Sequence, residues 1–236
     1  MALQMTTIAS MIDVSAVRAD SSDEKVLEAV QCGEKYGCYL VTVLPSQVVN
    51  TKKIINNGST LRLGGNVGFP SGGQTTSIKV METKELIELG VDEIDMVINV
   101  AALISGRLDD VYHDIEAVVD AGEGLPVKTI LECHYLNDTE ILKGCDLAIR
   151  GGASFVKTGT GWAPTGATIE NITLIKKHVG DTIKIKASGG IRDIEMIDLL
   201  CDLGVARIGI SARNVNKIFN EVKFSNRSLN NSPSGA

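Results

Sequence analysis

Two lysines carry the most suggestive chemistry in this chain. Lys157 closes the short apolar run Phe155-Val156 and leads into Thr158-Gly159-Thr160-Gly161. Lys186 closes Ile183-Lys184-Ile185 and leads into Ala187-Ser188-Gly189-Gly190. An ammonium group at the end of an apolar strand is costly unless it is paired or neutralised. If the two strands neighbour each other, each amine raises the cost of protonating the other. A lysine with a depressed pKa is a nucleophile near neutral pH. The plainer reading is a pair of solvated loop lysines. The repeated pattern, with glycines behind each lysine, favours chemistry.

The elements needed to position these amines can be read along the chain. Strand patterns fall at residues 7–12, ending at Asp13, and at 38–43, 61–67, 93–99, 126–132, 154–157, 182–186 and 206–210. Helical periodicity falls between them, at 22–36, 45–56, 76–89, 108–121, 138–150, 168–179 and 193–203. Repeated strand-then-helix units imply a parallel sheet. Eight of them in 236 residues imply a closed parallel eight-stranded (β/α)₈ TIM barrel; an open doubly wound sheet is the alternative. One domain is expected over residues 1–224, with a Ser-, Asn- and Gly-containing tail over 225–236 expected to be disordered.

In such a barrel the loops after the strands build the site. Polar residues at strand ends then become candidates: Asp13, Thr42, Asn66, Asp95, Asn99, Glu132, Lys157, Lys186 and Ser211. Alternation along Glu93-Ile94-Asp95-Met96 sends Asp95 into the barrel if Ile94 and Met96 pack on helices. An inward carboxylate needs a cation, and an inward lysine is the obvious one. A purely structural ion pair is the rival reading. Alternation also puts Lys184 on the face of Lys186; its place at the strand start lets its stem line the lower rim while the amine reaches water. Gly189-Gly190 and Gly209-Ile210-Ser211 follow the last two strands. Backbone N–H groups there suit a phosphate.

Composition narrows the classes. Hydrophobic residues make up 44% and aromatics 4%, so the core is aliphatic, as parallel strands under helices require. A net charge of −6 argues against general nucleic-acid binding. No apolar run is long enough to span a membrane, and residues 1–10 show no signal-peptide pattern. Five irregularly spaced cysteines suit a reduced, cytoplasmic protein. Of the histidines, His113 and His178 fall in helices. Cys133-His134 follows a strand without a third ligand, so no metal is expected.

Three motifs together resemble the deoxyribose-phosphate aldolase family. They are Phe155-Val156-Lys157-Thr158-x-Thr160-Gly161, Lys186-Ala187-Ser188-Gly189-Gly190-Ile191-Arg192 and Asp92-Glu93-Ile94-Asp95-Met96-Val97-Ile98-Asn99. Gly68-Phe69-Pro70-x-Gly72 and Gly209-Ile210-Ser211 extend the resemblance from about Asp13 to Ser211. It implies a (β/α)₈ barrel that reversibly cleaves 2-deoxyribose 5-phosphate to acetaldehyde and glyceraldehyde 3-phosphate without metal or other cofactor. Lys157 would form the Schiff base, Lys186 would keep it unprotonated, and Asp95 would join the proton relay. Asp13, Thr160, Gly189, Gly190 and Ser211 would bind substrate or its phosphate. A homo-oligomer, dimer or tetramer, is implied. The departures from the family pattern are Val14-Ser15, Thr42, His134, Gly159 and Trp162, and they cluster around the substrate. Thr42, His134, Gly159 and Trp162 are therefore candidates for specificity. They keep open a sister aldolase for another phosphorylated or polyol aldehyde. A barrel that binds a phosphometabolite without catalysis is the rival from another class.

Overall fold

The computed structural model describes residues 5–230, with side chains through residue 222. Eight parallel strands close into a barrel: β1 (Ile12–Ala16), β2 (Leu40–Val43), β3 (Arg62–Val67), β4 (Glu93–Val97), β5 (Val127–Ile130), β6 (Phe155–Lys157), β7 (Lys184–Ser188) and β8 (Arg207–Ser211). Each pairs with the next, and β1 closes the ring on β8 through Asp13↔Gly209. Helices cover the outside, so strand backbones are satisfied by neighbours and outward side chains by the helical layer.

The alternation along each strand sorts the residues cleanly. Val14, Val41, Leu63, Ile94, Met96, Val156, Ile185 and Ile208 point outward and join the core between barrel and helices. The intervening positions point inward, and many are charged: Asp13, Glu93, Asp95, Lys128, Lys157, Lys186 and Arg207. The barrel interior is thus a buried polar network, while the apolar core lies outside it.

Several expected boundaries shift. The first strand was expected at 7–12. Instead, Met5–Ala9 is a helix that seats Ile8 and Ala9 in the core, and β1 begins at Ile12. The period-two pattern that pairs with β8 and β2 starts only there. Asp13 consequently sits near the beginning of its strand, not its end. β5 stops at Ile130, because Glu132 takes a left-handed backbone with φ 55° and turns the chain into a 3₁₀ turn. An unforeseen short helix, Val100–Ile104, follows β4, capped by the Asn99 side chain accepting from Ala102 N at 3.0 Å. The final helix runs Ala212–Asn230, so part of the stretch expected to be a disordered tail is helical. The segment 224–230 contains no proline or glycine to stop it; residues 231–236 lie outside the described residues.

Lys184 behaves as its position suggests. It is exposed at the lower rim, with its amine 5.5 Å from the Phe155 ring centroid.

Candidate active site

The site is organised by Asp95, which β4 points into the barrel. One carboxylate oxygen, Oδ2, accepts from Lys157 Nζ and from Lys186 Nζ, each at 2.7 Å. The other, Oδ1, accepts from Lys128 Nζ at 2.8 Å. The register explains the convergence: Asp95 lies beside Lys128 on β5, and Lys157 lies beside Lys186 on β7. Below this layer, Lys128 Nζ also reaches Glu93 at 2.7 Å. Lys186 Nζ lies 2.6 Å from Asp13 Oδ2. Arg207 bonds Asp13 and approaches Glu93 at 3.5 Å.

Four cations therefore share the interior with three carboxylates. Burial alone would raise the Asp95 carboxyl, but Lys128, Lys157 and Lys186 hold it well below the usual carboxylate range. Asp13 follows the same logic: burial opposes, while Lys186, Lys128 and Arg207 depress it. Lys128 is raised, because Asp95, Asp13 and Glu93 outweigh its burial. Lys157 shifts the opposite way from Lys128. Burial drives its ammonium down to about 8; Asp95 opposes the shift, and the charges of Lys186 and Lys128 reinforce it. The lysine whose ammonium is lowered is thus the one that closes its strand and lines the cavity. Burial, more than the neighbouring lysine alone, lowers it.

A cavity of about 310 Å³ opens above Lys157. Of the sequence candidates, Thr42, Lys157, Thr160, Gly189, Gly190 and Ser211 line it, joined by Ser15, Arg18, Ser188 and Arg192. Gly189 and Gly190 have φ 92° and 88°, consecutive left-handed residues in a turn that side chains would strain. Thr42 Oγ1 accepts from Asn66 Nδ2 at 3.0 Å, which fixes it on the cavity wall.

Other candidates sit elsewhere. Asp13 does not line the cavity. It is fully buried in the interior network, because β1 starts later than expected. His134 is exposed in the middle of the 3₁₀ turn, bonded to Thr165 Oγ1 at 2.7 Å, and lines a separate surface cavity. Gly159 faces Glu132, not the substrate: a Cβ there would lie 2.9 Å from Glu132 Oε1 and 3.3 Å from Ser188 O. Thr160 reaches the cavity, but its hydroxyl donates to Glu132 and its backbone N–H donates to the same carboxylate at 3.1 Å. Burial raises the Glu132 carboxyl, although the Thr160 bonds pull it back. Trp162 does not line the cavity above Lys157; it lines a separate, more apolar cavity with Glu132 and Tyr135.

Sequence reasoning missed Lys128, Arg207 and Arg18. Lys128 was visible in Val127-Lys128-Thr129-Ile130 as a lysine inside an apolar strand, the same signal used for Lys186. Arg207 opens the last strand, where alternation with Gly209 and Ser211 would have turned it inward.

The chain matches the family model described as DeoC/LacD family aldolase over residues 7–211. A deoxyribose-phosphate aldolase from Klebsiella pneumoniae is 41% identical over 217 residues, covering 91% of this chain and 87% of its own. One from Staphylococcus epidermidis is 42% identical over 204 residues, covering 86% and 92%. The tetrameric deoxyribose phosphate aldolase of Aeropyrum pernix superposes with a TM-score of 0.82 at 27% identity, covering 93% of each chain.

Proposed function

The chain belongs to the DeoC/LacD family of aldolases, and we propose that it reversibly cleaves 2-deoxyribose 5-phosphate to acetaldehyde and glyceraldehyde 3-phosphate. The observation that carries this reading is a lysine with a pKa of about 8, on a buried carboxylate, at the floor of a glycine-rimmed cavity. Lys157 Nζ adds to the C1 aldehyde of the open-chain sugar, and loss of water gives the imine. Removal of the C3 hydroxyl proton then breaks the C2–C3 bond. Its electron pair moves into the protonated imine, leaving an enamine and releasing glyceraldehyde 3-phosphate. Protonation at C2 and hydrolysis return acetaldehyde and free Lys157. The imine is the electron sink that a metal ion would otherwise provide.

Lys186 and Asp95 serve as the relay. Asp95 holds both amines on one oxygen, so a proton leaving Lys157 has a bonded acceptor in that carboxylate, while the charge of Lys186 beside it disfavours its return to Lys157. Gly189, Gly190 and Ser211 hold the phosphate through backbone N–H groups and a hydroxyl. Of the departures from the family pattern, Ser15 and Thr42 line the cavity and Trp162 packs on Arg18, which lines it, whereas Val14, Gly159 and His134 do not reach it. That leaves acceptor choice, not reaction type, as what those residues tune. The tetrameric Aeropyrum pernix relative supports the expected homo-oligomer. Five free cysteines support a reducing, cytoplasmic setting.

Borohydride reduction in the presence of 2-deoxyribose 5-phosphate tests the reading. One reduced-imine mass should appear, on the peptide containing Lys157, and Lys157→Ala should abolish it. Label on Lys186 would reverse the assignment of the nucleophile. No label at all would favour a binding barrel without catalysis.

A further inference from the structure

The loops after β1 and β6 are tied together across the mouth by a reciprocal pair. Trp162 Nε1 donates to Val17 O at 2.8 Å. In return, Arg18 NH1 donates to Gly161 O at 3.2 Å. The Arg18 guanidinium lies over the Trp162 ring, 4.7 Å from its centroid, and the edge of Phe69 braces that ring at 6.1 Å. Arg18 thus lies on an aromatic face, where cation–π attraction and a backbone bond fix a side chain that is otherwise costly to order.

What this cation faces matters. Arg18 lines the same cavity as Lys157, Gly189, Gly190 and Ser211. The ring and the carbonyl that hold it are both neutral. Asp20, an acid on its own loop, is bonded to Lys25 at 2.6 Å. Most of the guanidinium's five donors remain available in a planar fork suited to phosphate oxygens. The glycine turn and Ser211 supply dipoles and Arg192 beside them one cation, whereas a phosphate monoester carries up to two negative charges, which leaves room for a second cation in Arg18.

We propose that Arg18, held on Trp162, is a specificity-determining residue that selects phosphorylated over unphosphorylated substrates. The inference rests on the phosphate site assigned above and adds to it a charged side chain from the loop after β1, the strand paired with β8. Trp162 acts as the positioning residue for that charge.

The test compares kcat/KM for 2-deoxyribose 5-phosphate and for 2-deoxyribose in the parent, Arg18→Gln, Arg18→Lys and Trp162→Leu. In the parent the phosphorylated sugar should be preferred strongly. Arg18→Gln should cut that preference about ten- to hundredfold, chiefly through KM of the phosphorylated sugar. Arg18→Lys should recover part of it, since charge is kept and the fork lost. Trp162→Leu should cut it less than Arg18→Gln. Rising ionic strength should erode the preference of the parent more than that of Arg18→Gln. A preference unchanged in Arg18→Gln, or equal losses on both sugars, overturns the role of Arg18 while leaving the glycine site standing. A parent without any preference for phosphate overturns both, and borohydride trapping then shows whether the lysine chemistry survives.

Discussion

At the scale of residues, the proposed reaction turns on Asp95. It bonds Lys157 and Lys186 through one oxygen, yet its effect on Lys157 opposes theirs: it favours the ammonium, while burial and the neighbouring lysines favour the free amine. The signs separate by mutation. Imine formation requires the free amine, so its rate should rise with pH through about 8 in the parent. Removing the charge of Lys186 with Lys186→Met deletes a depressing influence, so the acid limb should move to higher pH. Removing the charge of Asp95 with Asp95→Asn deletes a raising influence, so the limb should move to lower pH. Each displacement should be about one pH unit or more. Single-turnover imine formation with acetaldehyde, followed against pH, measures both without requiring the full cycle. Displacements in the same direction would mean that the three groups do not share one site.

At the scale of elements, the loop after Lys157 and the glycine turn proposed to hold phosphate are built against each other. Thr158 Oγ1 donates to Ser188 O at 2.8 Å and accepts from Ser188 N at 3.0 Å. Ala167 N donates to the carbonyls of Ser188 and Gly189 at 3.0 and 2.9 Å. Gly166 sits in this contact, where a Cβ would come within 2.5 Å of Ser188 O and 2.7 Å of Gly189 Cα. These are backbone atoms and cannot rotate aside. Gly166→Ala should therefore push the glycine turn away from the cavity, costing about 1–3 kcal/mol of stability. It should raise KM for the phosphorylated sugar more than for the free sugar. Denaturant midpoints and paired kinetics check the two parts. A variant as stable as the parent, with unchanged KM, would show that the two loops are not rigidly coupled.

At the scale of the whole molecule, the barrel keeps its apolar core on the outside and a charge network inside. Such a network stabilises only while every member is paired. Lys128 touches no part of the cavity, yet it holds both Asp95 and Glu93. Lys128→Met should leave these carboxylates underpaired and cost about 3–5 kcal/mol, measured by urea unfolding near neutral pH. A loss below about 1 kcal/mol would show that the interior rearranges freely. Acid should act on the same network. Asp13 and Asp95 are depressed when folded, so their contribution is present above the ordinary carboxylate pKa near ~3.9 and fades as pH falls below it.

The chain itself determined the parallel barrel and marked Lys157 as the lysine proposed to react. Period-two strands and period-3.6 helices announce themselves locally, and so does a lysine between an apolar run and a glycine turn. Inward placement of Asp95 was legible for the same reason, since alternation is a property of one strand. Which strand ends meet, and at what height, is a property of register. That decided that Lys128 would stand beside Asp95, that Asp13 would sink into the interior, and that Gly159 would face Glu132 instead of substrate. The depressed Lys157 pKa belongs to this second class. Its main cause is burial, which only the closed barrel and its covering loops create. Arg18 over Trp162 belongs there too, because 143 residues separate Arg18 from the Gly161 carbonyl it binds. No local pattern in either segment refers to the other; closure of the ring brings them together.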